Sequence, residues 1–126
     1  MVERYYNKDR SAIAVLVSHG YGGGWSTWCG ETEEPYQLAY DKQVVEFWLA
    51  HRDDDEYIEN LCDILKNDDQ KEAEEFFESL GYRHVFFGGF SQITLHWVPV
   101  GSKFEIAEYD GAESLRVLDD ISFAIA

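Results

Sequence analysis

The spacing of hydrophobic positions changes along the chain, and each spacing predicts a different element. Residues 12–17 (AIAVLV) form a continuous apolar run rich in β-branched side chains, which is typical of a buried strand. The run stops before Gly20, and residues 20–30 contain five glycines interleaved with aromatic side chains. This stretch, called the Gly/Trp loop below, is predicted to be irregular.

Three segments with apolar side chains on one helical face follow the loop. The first begins at Asp41, whose side chain can cap a helix, and the third ends at Gly81, which suits the left-handed conformation of a helix stop. The apolar faces consist of Val44, Val45, Trp48 and Leu49 in the first, Ile58, Leu61, Cys62 and Leu65 in the second, and Ala73, Phe76, Phe77 and Leu80 in the third. We therefore predict three helices between residues 41 and 80.

After Gly81 the hydrophobic period falls to two, as in a sheet with one wet face. Strands are predicted at residues 84–87, along the alternating Ile93, Leu95 and Trp97, and from Phe104 to Tyr109. Asp110-Gly111 is a hairpin signal, after which Leu115 and Val117 lie on the next strand, and residues 121–125 alternate as a final strand. The whole chain, residues 1–126, is predicted to be a single α+β domain. It has an antiparallel β-sheet of about five strands, with a three-helix insertion between the first strand and a C-terminal β-meander.

The composition excludes several classes of protein. The chain has 126 residues, with 25 acids against 10 bases and a net charge of −15, and 16% of its residues are aromatic. So many aromatic residues exclude a disordered acidic tail, and so few bases argue against binding to nucleic acid or to an anionic membrane. Neither a membrane span nor the apolar core of a signal peptide is present, so we expect a cytoplasmic protein.

The negative charge is concentrated in one region. Residues 53–78 contain twelve acids and two bases, which is −10 of the total −15. Such a region is either a solvated helical face or a surface for a host or defence protein with a basic surface. The candidate partner-binding residues are Asp53, Asp54, Asp55, Glu56, Glu72 and Glu75.

Two fragments resemble parts of α/β-hydrolases, namely residues 19–23 (HGYGG) and residues 89–92 (GFSQ). In that family the second fragment would make Ser91 a nucleophile, but Ile93 stands where the nucleophile turn needs glycine, and no histidine follows His96. A small hydrolase using Ser91 with His19 or His96 is therefore an alternative to the main prediction.

No metal site and no cofactor are predicted from the sequence. The four histidines are far apart, without an HxH or HxxxH pair, and the two cysteines form no CxxC motif. The Gly/Trp loop also lacks the lysine of a phosphate-binding P-loop.

The Gly/Trp loop has two interpretations. In the first, its glycines let backbone N–H groups approach a small planar ligand, while aromatic rings stack on that ligand and hydroxyls donate hydrogen bonds to it. In the second, its tryptophans fill the core and its glycines permit the turn. The candidate ligand-binding residues are Tyr21, Gly22, Gly23, Gly24, Trp25, Ser26, Thr27 and Trp28.

Residues 20–28 (GYGGGWSTW), 40–42 (YDK), 97–106 (WVPVGSKFEI) and 108–114 (EYDGAES) together resemble a group of small, acidic, phage- and prophage-borne proteins of unassigned activity. The resemblance extends from about residue 12 to 118. It implies a non-enzymatic accessory protein that binds a host or defence-related protein or a small signalling ligand. A homo-oligomer is also possible, because a terminal strand at residues 121–125 would be able to pair across chains.

Overall fold

The computed structural model describes residues 2–20, 25–27, 29, 32–52, 72–82, 85, 90–109 and 112–118. In chain order the described elements are β1 (Ala12–Ser18), α1 (Gln37–Tyr40), α2 (Lys42–His51), α3 (Glu72–Ser79), a 3-10 turn (Phe90–Gln92), β2 (Ile93–Pro99), β3 (Lys103–Tyr109) and β4 (Ala112–Leu118). This mixture confirms the α+β class. None of the helices in these ranges has the length and apolar character needed to cross a membrane.

Strand β1 lies at the centre of the molecule, and all seven of its residues are buried, as the apolar run predicts. Because successive side chains of a strand point to opposite faces, β1 supplies two separate core clusters. Ala14 and Leu16 belong to the first cluster, which also contains Trp25, Leu38, Val44, Val45, Trp48, Ala73, Phe77, Tyr82, Phe90 and Ile93. Ile13, Val15 and Val17 belong to the second, which also contains Ala39, Tyr40, Val98 and Ile106.

The described strands form two antiparallel pairs. β1 pairs with β2 from Ala12 opposite Pro99 to Ser18 opposite Ile93, and β3 pairs with β4 in a hairpin. The described residues thus contain two two-stranded sheets, and the prediction of one sheet of about five strands is not confirmed. β2 pairs with β1 rather than with β3, because the fully buried β1 needs a partner for its backbone groups. The strands predicted at 84–87 and 121–125 lie outside the described residues, apart from Val85.

The N-terminal segment, residues 2–10, covers the other edge of β1. The N–H of Ala14 donates to the carbonyl of Tyr5 at 2.8 Å. The N–H of Lys42, at the start of α2, donates to the carbonyl of Glu3 at 2.8 Å. The segment is therefore held between β1 and α2.

Two of the three predicted helices are confirmed. Asp41 caps α2 by accepting a hydrogen bond from the N–H of Gln43 at 2.9 Å, and α3 ends before Gly81, which has φ +94°. The second predicted helix, around residues 58–65, lies outside the described residues. The short α1 was not predicted, since its four residues are too few to show a helical period.

Candidate functional site

The described part of the Gly/Trp loop comprises Gly20, Trp25, Ser26, Thr27 and Cys29. Trp25 is completely buried, and its ring makes edge-to-face contacts with Phe77 and Phe90 at centroid distances of 6.1 and 5.7 Å. The indole is thus part of the first core cluster. Ligand binding by the loop stays a prediction, since Tyr21, Gly22, Gly23, Gly24 and Trp28 lie outside the described residues.

The buried carboxylate of Glu113 in β4 holds this loop. Its Oε2 accepts hydrogen bonds from the N–H of Trp25 at 3.2 Å, the N–H of Thr27 at 2.9 Å and the hydroxyl of Thr27 at 2.7 Å. Its Oε1 accepts from the N–H of Ser18 at 3.1 Å. One side chain therefore joins the end of β1, the loop and the β3–β4 hairpin through charge-assisted hydrogen bonds.

Sequence reasoning did not single out Glu113, although its position carries a signal. Residues 113, 115 and 117 lie on one face of β4, and the other two are Leu115 and Val117. An acid on the apolar face of a strand needs hydrogen-bond partners if it is buried. Its partners lie 86 to 95 residues away, so the pattern cannot identify them.

Close packing continues where β1 meets the loop. A Cβ added at Gly20 would lie 2.5 Å from Cγ of Gln92, so a larger residue would force the side chain of Gln92 to shift. The hydroxyl of the buried Ser26 has no hydrogen-bond partner among the described residues. The polar contacts and the packing here fix the conformation of residues 18–27 as far as it is described.

Beside the end of β1, His19 and His96 approach each other over Thr94. Their Nε2 atoms are 3.3 Å apart, and Oγ1 of Thr94 lies 2.9 Å from Nε2 of His19 and 2.8 Å from Nε2 of His96. His19 and Thr94 are exposed, and His96 is partly exposed. Burial, and then the neighbouring imidazole of His19, lower the pKa of His96.

Ser91, the alternative nucleophile, lies on the exposed 3-10 turn before β2. A strand follows it, where the nucleophile turn of an α/β-hydrolase leads into a helix. Within the described ranges, no hydrogen bond joins Ser91 to His19 or His96, which contact each other and Thr94 instead. This arrangement does not activate the hydroxyl of Ser91.

The N-terminal segment and the start of α2 line a cleft of about 850 Å³, called the N-terminal cleft below. Its lining residues are Val2, Glu3, Arg4, Tyr5, Tyr6, Asn7, Lys8, Arg10 and Lys42. Four of these residues are bases and one is an acid, in a chain with a net charge of −15. The fold thus gathers four of the ten bases in one concave surface.

The four cations of the N-terminal cleft differ in how they are already paired. Arg4 lies 3.3 Å from a carboxylate oxygen of Glu34, and Lys42 lies 3.7 Å from one of Glu3. The guanidinium of Arg10 lies over the ring of Tyr6, 4.0 Å from its centroid. Lys8 and Arg10 are exposed and form no ion pair with any acid that the structure describes. They are the two cations available to an anion.

A network of three polar side chains is enclosed between α1, α2 and the segment after α3. The hydroxyl of Tyr82 donates to Oδ2 of Asp41 at 2.6 Å and accepts from the amide of Gln37 at 3.2 Å. All three side chains are buried. Burial, and then the hydrogen bond to Asp41, raise the pKa of Tyr82. This network is closed and satisfied, which fits a role in specifying the helix packing.

The predicted acidic partner surface is described only at its C-terminal end. Glu72 begins α3, and Glu75 is exposed on it together with Glu74 and Glu78. Asp53, Asp54, Asp55 and Glu56 lie outside the described residues. Binding of a partner by these residues stays a prediction.

No protein-family model, no curated protein and no solved structure matches this chain.

Proposed function

We propose that this protein is a non-enzymatic accessory protein of the phage type, working in the host cytoplasm, and that its N-terminal cleft binds a small anionic ligand. The observation that carries the proposal is the gathering of Arg4, Lys8, Arg10 and Lys42 around one cleft.

The distribution of charge favours binding of an anion in the N-terminal cleft over the rest of the surface. A chain with a net charge of −15 repels anions over most of its surface, so a concave cluster of cations is the region where one can be held. Lys8 and Arg10 are unpaired with described acids, whereas Arg4 and Lys42 already contact Glu34 and Glu3. We therefore assign the direct contacts with the anion to Lys8 and Arg10. Arg4 and Lys42 add to the positive electrostatic potential of the cleft.

The aromatic lining supports a ligand that also carries a planar group. Tyr5 and Tyr6 line the cleft and are partly exposed. The guanidinium of Arg10 already lies against the ring of Tyr6, which limits its motion and lowers the entropy lost on binding. An anionic group beside a planar ring is the chemistry of a nucleotide. The proposed site differs from the Gly/Trp loop, where the sequence predicts a small ligand.

Isothermal titration calorimetry with ADP and with inorganic pyrophosphate tests the cleft. The variant Lys8→Glu/Arg10→Glu is expected to bind either probe at least tenfold more weakly than the wild type, and wild-type affinity is expected to fall between about 50 and 300 mM salt. The matched control is Lys103→Glu/Arg116→Glu, which changes the net charge equally at exposed positions of the β3–β4 hairpin. Absence of wild-type binding to both probes, or an equal loss in the control, would overturn the proposal.

A second binding function is favoured by the exposed acids of α3. Glu74, Glu75 and Glu78 are exposed at the described end of the acidic region, and a basic protein surface would complement them. If such a partner is isolated from infected cells, Glu74→Lys/Glu75→Lys/Glu78→Lys is expected to abolish the complex in native mass spectrometry. The control Glu105→Lys/Glu108→Lys, on the hairpin, is expected to retain it. Equal binding by both variants would exclude α3 as the interface.

A serine-reactive probe tests whether the protein is a hydrolase that uses Ser91 rather than a binding protein. The folded protein is expected to remain unlabelled by a fluorophosphonate probe, because no described base is hydrogen-bonded to the hydroxyl of Ser91. Labelling that disappears in Ser91→Ala would support the hydrolase instead.

A further inference from the structure

The contact between His19, Thr94 and His96 is not fully explained by hydrogen bonding. Each neutral imidazole nitrogen carries either a proton or a lone pair, and the threonine hydroxyl has one proton. With one Nε2 protonated, one imidazole donates to Oγ1 and the hydroxyl donates to the other imidazole. That arrangement uses both available protons. No proton is then left for a hydrogen bond between the two Nε2 atoms, although they lie 3.3 Å apart.

The 3.3 Å between the two Nε2 atoms is also the separation expected for two nitrogen ligands of one metal ion. Zinc–nitrogen bonds are about 2.0–2.1 Å long, so two ligands of a tetrahedral ion lie about 3.3–3.4 Å apart. We propose that His19 and His96 chelate a divalent transition-metal ion through their Nε2 atoms, with Thr94 as a positioning residue. This site is separate from the N-terminal cleft and goes beyond the proposed function.

The backbone holds both ligands in place. His96 lies within β2, directly opposite Val15 of the buried β1, and Thr94 lies opposite Val17. His19 follows β1 directly, and its N–H donates to the carbonyl of Gln92 at 3.3 Å. By the alternation of strand residues, all three side chains lie on one face of this sheet. The backbone positions of both ligands are thus set before a metal binds, by strand pairing for His96 and by the hydrogen bond to Gln92 for His19.

The surroundings determine the class of metal. Imidazole ligands suit zinc, copper and nickel, whereas calcium and magnesium prefer oxygen. Among the described residues no group of three or more His, Cys, Asp or Glu side chains is arranged around a metal. Within the part of the chain that the structure describes, the site therefore has two strong protein ligands, His19 and His96. Copper(II) is expected to bind most tightly, with nickel and zinc weaker and manganese weakest.

Metal titrations of tag-free protein test the site. Zinc and copper(II) affinities are measured by competition with a chromophoric chelator, for the wild type and for His19→Ala, His96→Ala and His51→Ala. Each change at the site is expected to weaken binding at least tenfold. His51→Ala is the matched control, because His51 lies on α2 with its ring tilted by 58° against that of Phe47, at a centroid distance of 4.5 Å; it is expected to bind within twofold of the wild type.

A spectroscopic readout separates chelation from a change in folding. Electron paramagnetic resonance of the copper(II) complex is expected to show coupling to two imidazole nitrogens, reduced to one in either single variant. His19 is exposed, so His19→Ala is expected to keep the wild-type melting temperature. Where His96→Ala is destabilised, His96→Gln supplies the second variant. Thr94→Val is expected to weaken binding by less than either histidine change.

Two results would overturn the proposal. One is the absence of zinc and copper(II) binding by the wild type, which leaves a hydrogen-bonded group only. The other is binding that survives both His19→Ala and His96→Ala, which places the metal elsewhere. Neither result bears on ADP binding by the N-terminal cleft, whose residues are different.

Discussion

Thr27 and Glu113 are joined by two hydrogen bonds to the same oxygen, one from the backbone N–H of Thr27 at 2.9 Å and one from its hydroxyl at 2.7 Å. The same carboxylate also accepts from the N–H groups of Ser18 and Trp25. A side chain on the hairpin therefore holds the backbone at Trp25 and Thr27, which precede it by more than eighty residues.

Removal of the Glu113 carboxylate is expected to destabilise the protein strongly. Glu113→Ala leaves three backbone N–H groups and one hydroxyl without their acceptor, at an expected cost of about 3 to 5 kcal/mol in the free energy of unfolding. Glu113→Gln keeps one acceptor oxygen and is expected to cost less. Urea unfolding measures both changes. Glu108→Ala, at the exposed position opposite Glu113, is the control and is expected to change stability by less than about 1 kcal/mol; equal losses would contradict the role of Glu113.

Trp25 is expected to behave as a core residue. Trp25→Ala removes a completely buried indole from between Phe77 and Phe90, and is expected to cost about 3 to 5 kcal/mol. Trp97→Ala, at a side chain that is 47% exposed, serves as the comparison and is expected to cost less than about 1 kcal/mol. Thermal and urea unfolding distinguish the two variants. Wild-type stability of Trp25→Ala would contradict this core role and would favour the prediction that the indole binds a ligand.

High pH is expected to unfold the protein through its buried tyrosines. Burial, with the hydrogen bond to Asp41, raises the pKa of Tyr82, and burial, with Glu34, raises the pKa of Tyr40. Each then holds its proton in the folded state above about pH 10, where an unfolded tyrosine loses it. Their contribution to stability is complete below about pH 10 and is lost as the pH rises toward the folded-state pKa.

Absorbance at 295 nm, followed between pH 9 and 13, measures this titration. At least two of the eight tyrosines are expected to ionise only together with unfolding. In Tyr82→Phe the late phase is expected to shrink by one tyrosine, and the free energy of unfolding at pH 7 to fall by about 1 to 3 kcal/mol. A single early phase that includes all eight tyrosines would contradict the burial of these two hydroxyls.

Cys29 is expected to react slowly with alkylating agents. Partial burial raises the pKa of its thiol, so less of the reactive thiolate is present at pH 8. In a Cys62→Ser background, mass spectrometry is expected to show iodoacetamide labelling several-fold slower in the folded protein than in 6 M urea. Equal rates would mean that the thiol is accessible in the folded state.

The parts of the fold predicted correctly are those encoded by neighbouring residues. The apolar run of β1, the Asp41 cap of α2 and the Gly81 stop of α3 each depend on side chains within a few positions. The same holds for β3 and β4, whose hairpin follows from alternation around a turn signal. Local chemistry is sufficient for these features because their stabilising contacts are local.

The pairing of β1 with β2, the histidine pair and the N-terminal cleft depend on contacts between residues that are distant in sequence. Nothing near residue 95 indicates that β2 pairs with β1, so the meander was the simpler expectation. His19 and His96 are 77 positions apart, and a search for closely spaced ligands does not find them. Lys8 and Arg10 are separated in sequence from Lys42, and the contacts of the N-terminal segment with both β1 and the start of α2 bring these bases together.

The burial of β1 on both faces also constrains how the chain folds and unfolds. Ala14 and Leu16 anchor one core cluster, while Val15 and Val17, in the same strand, anchor the other. Loss of β1 removes buried residues from both clusters at once, so we expect the two clusters to unfold together in one cooperative transition. β1 ends at Ser18, whereas its partner β2 begins only at Ile93. The apolar side chains of β1 therefore lack this partner until β2 has left the ribosome, and we expect the nascent chain to be prone to aggregation during that interval.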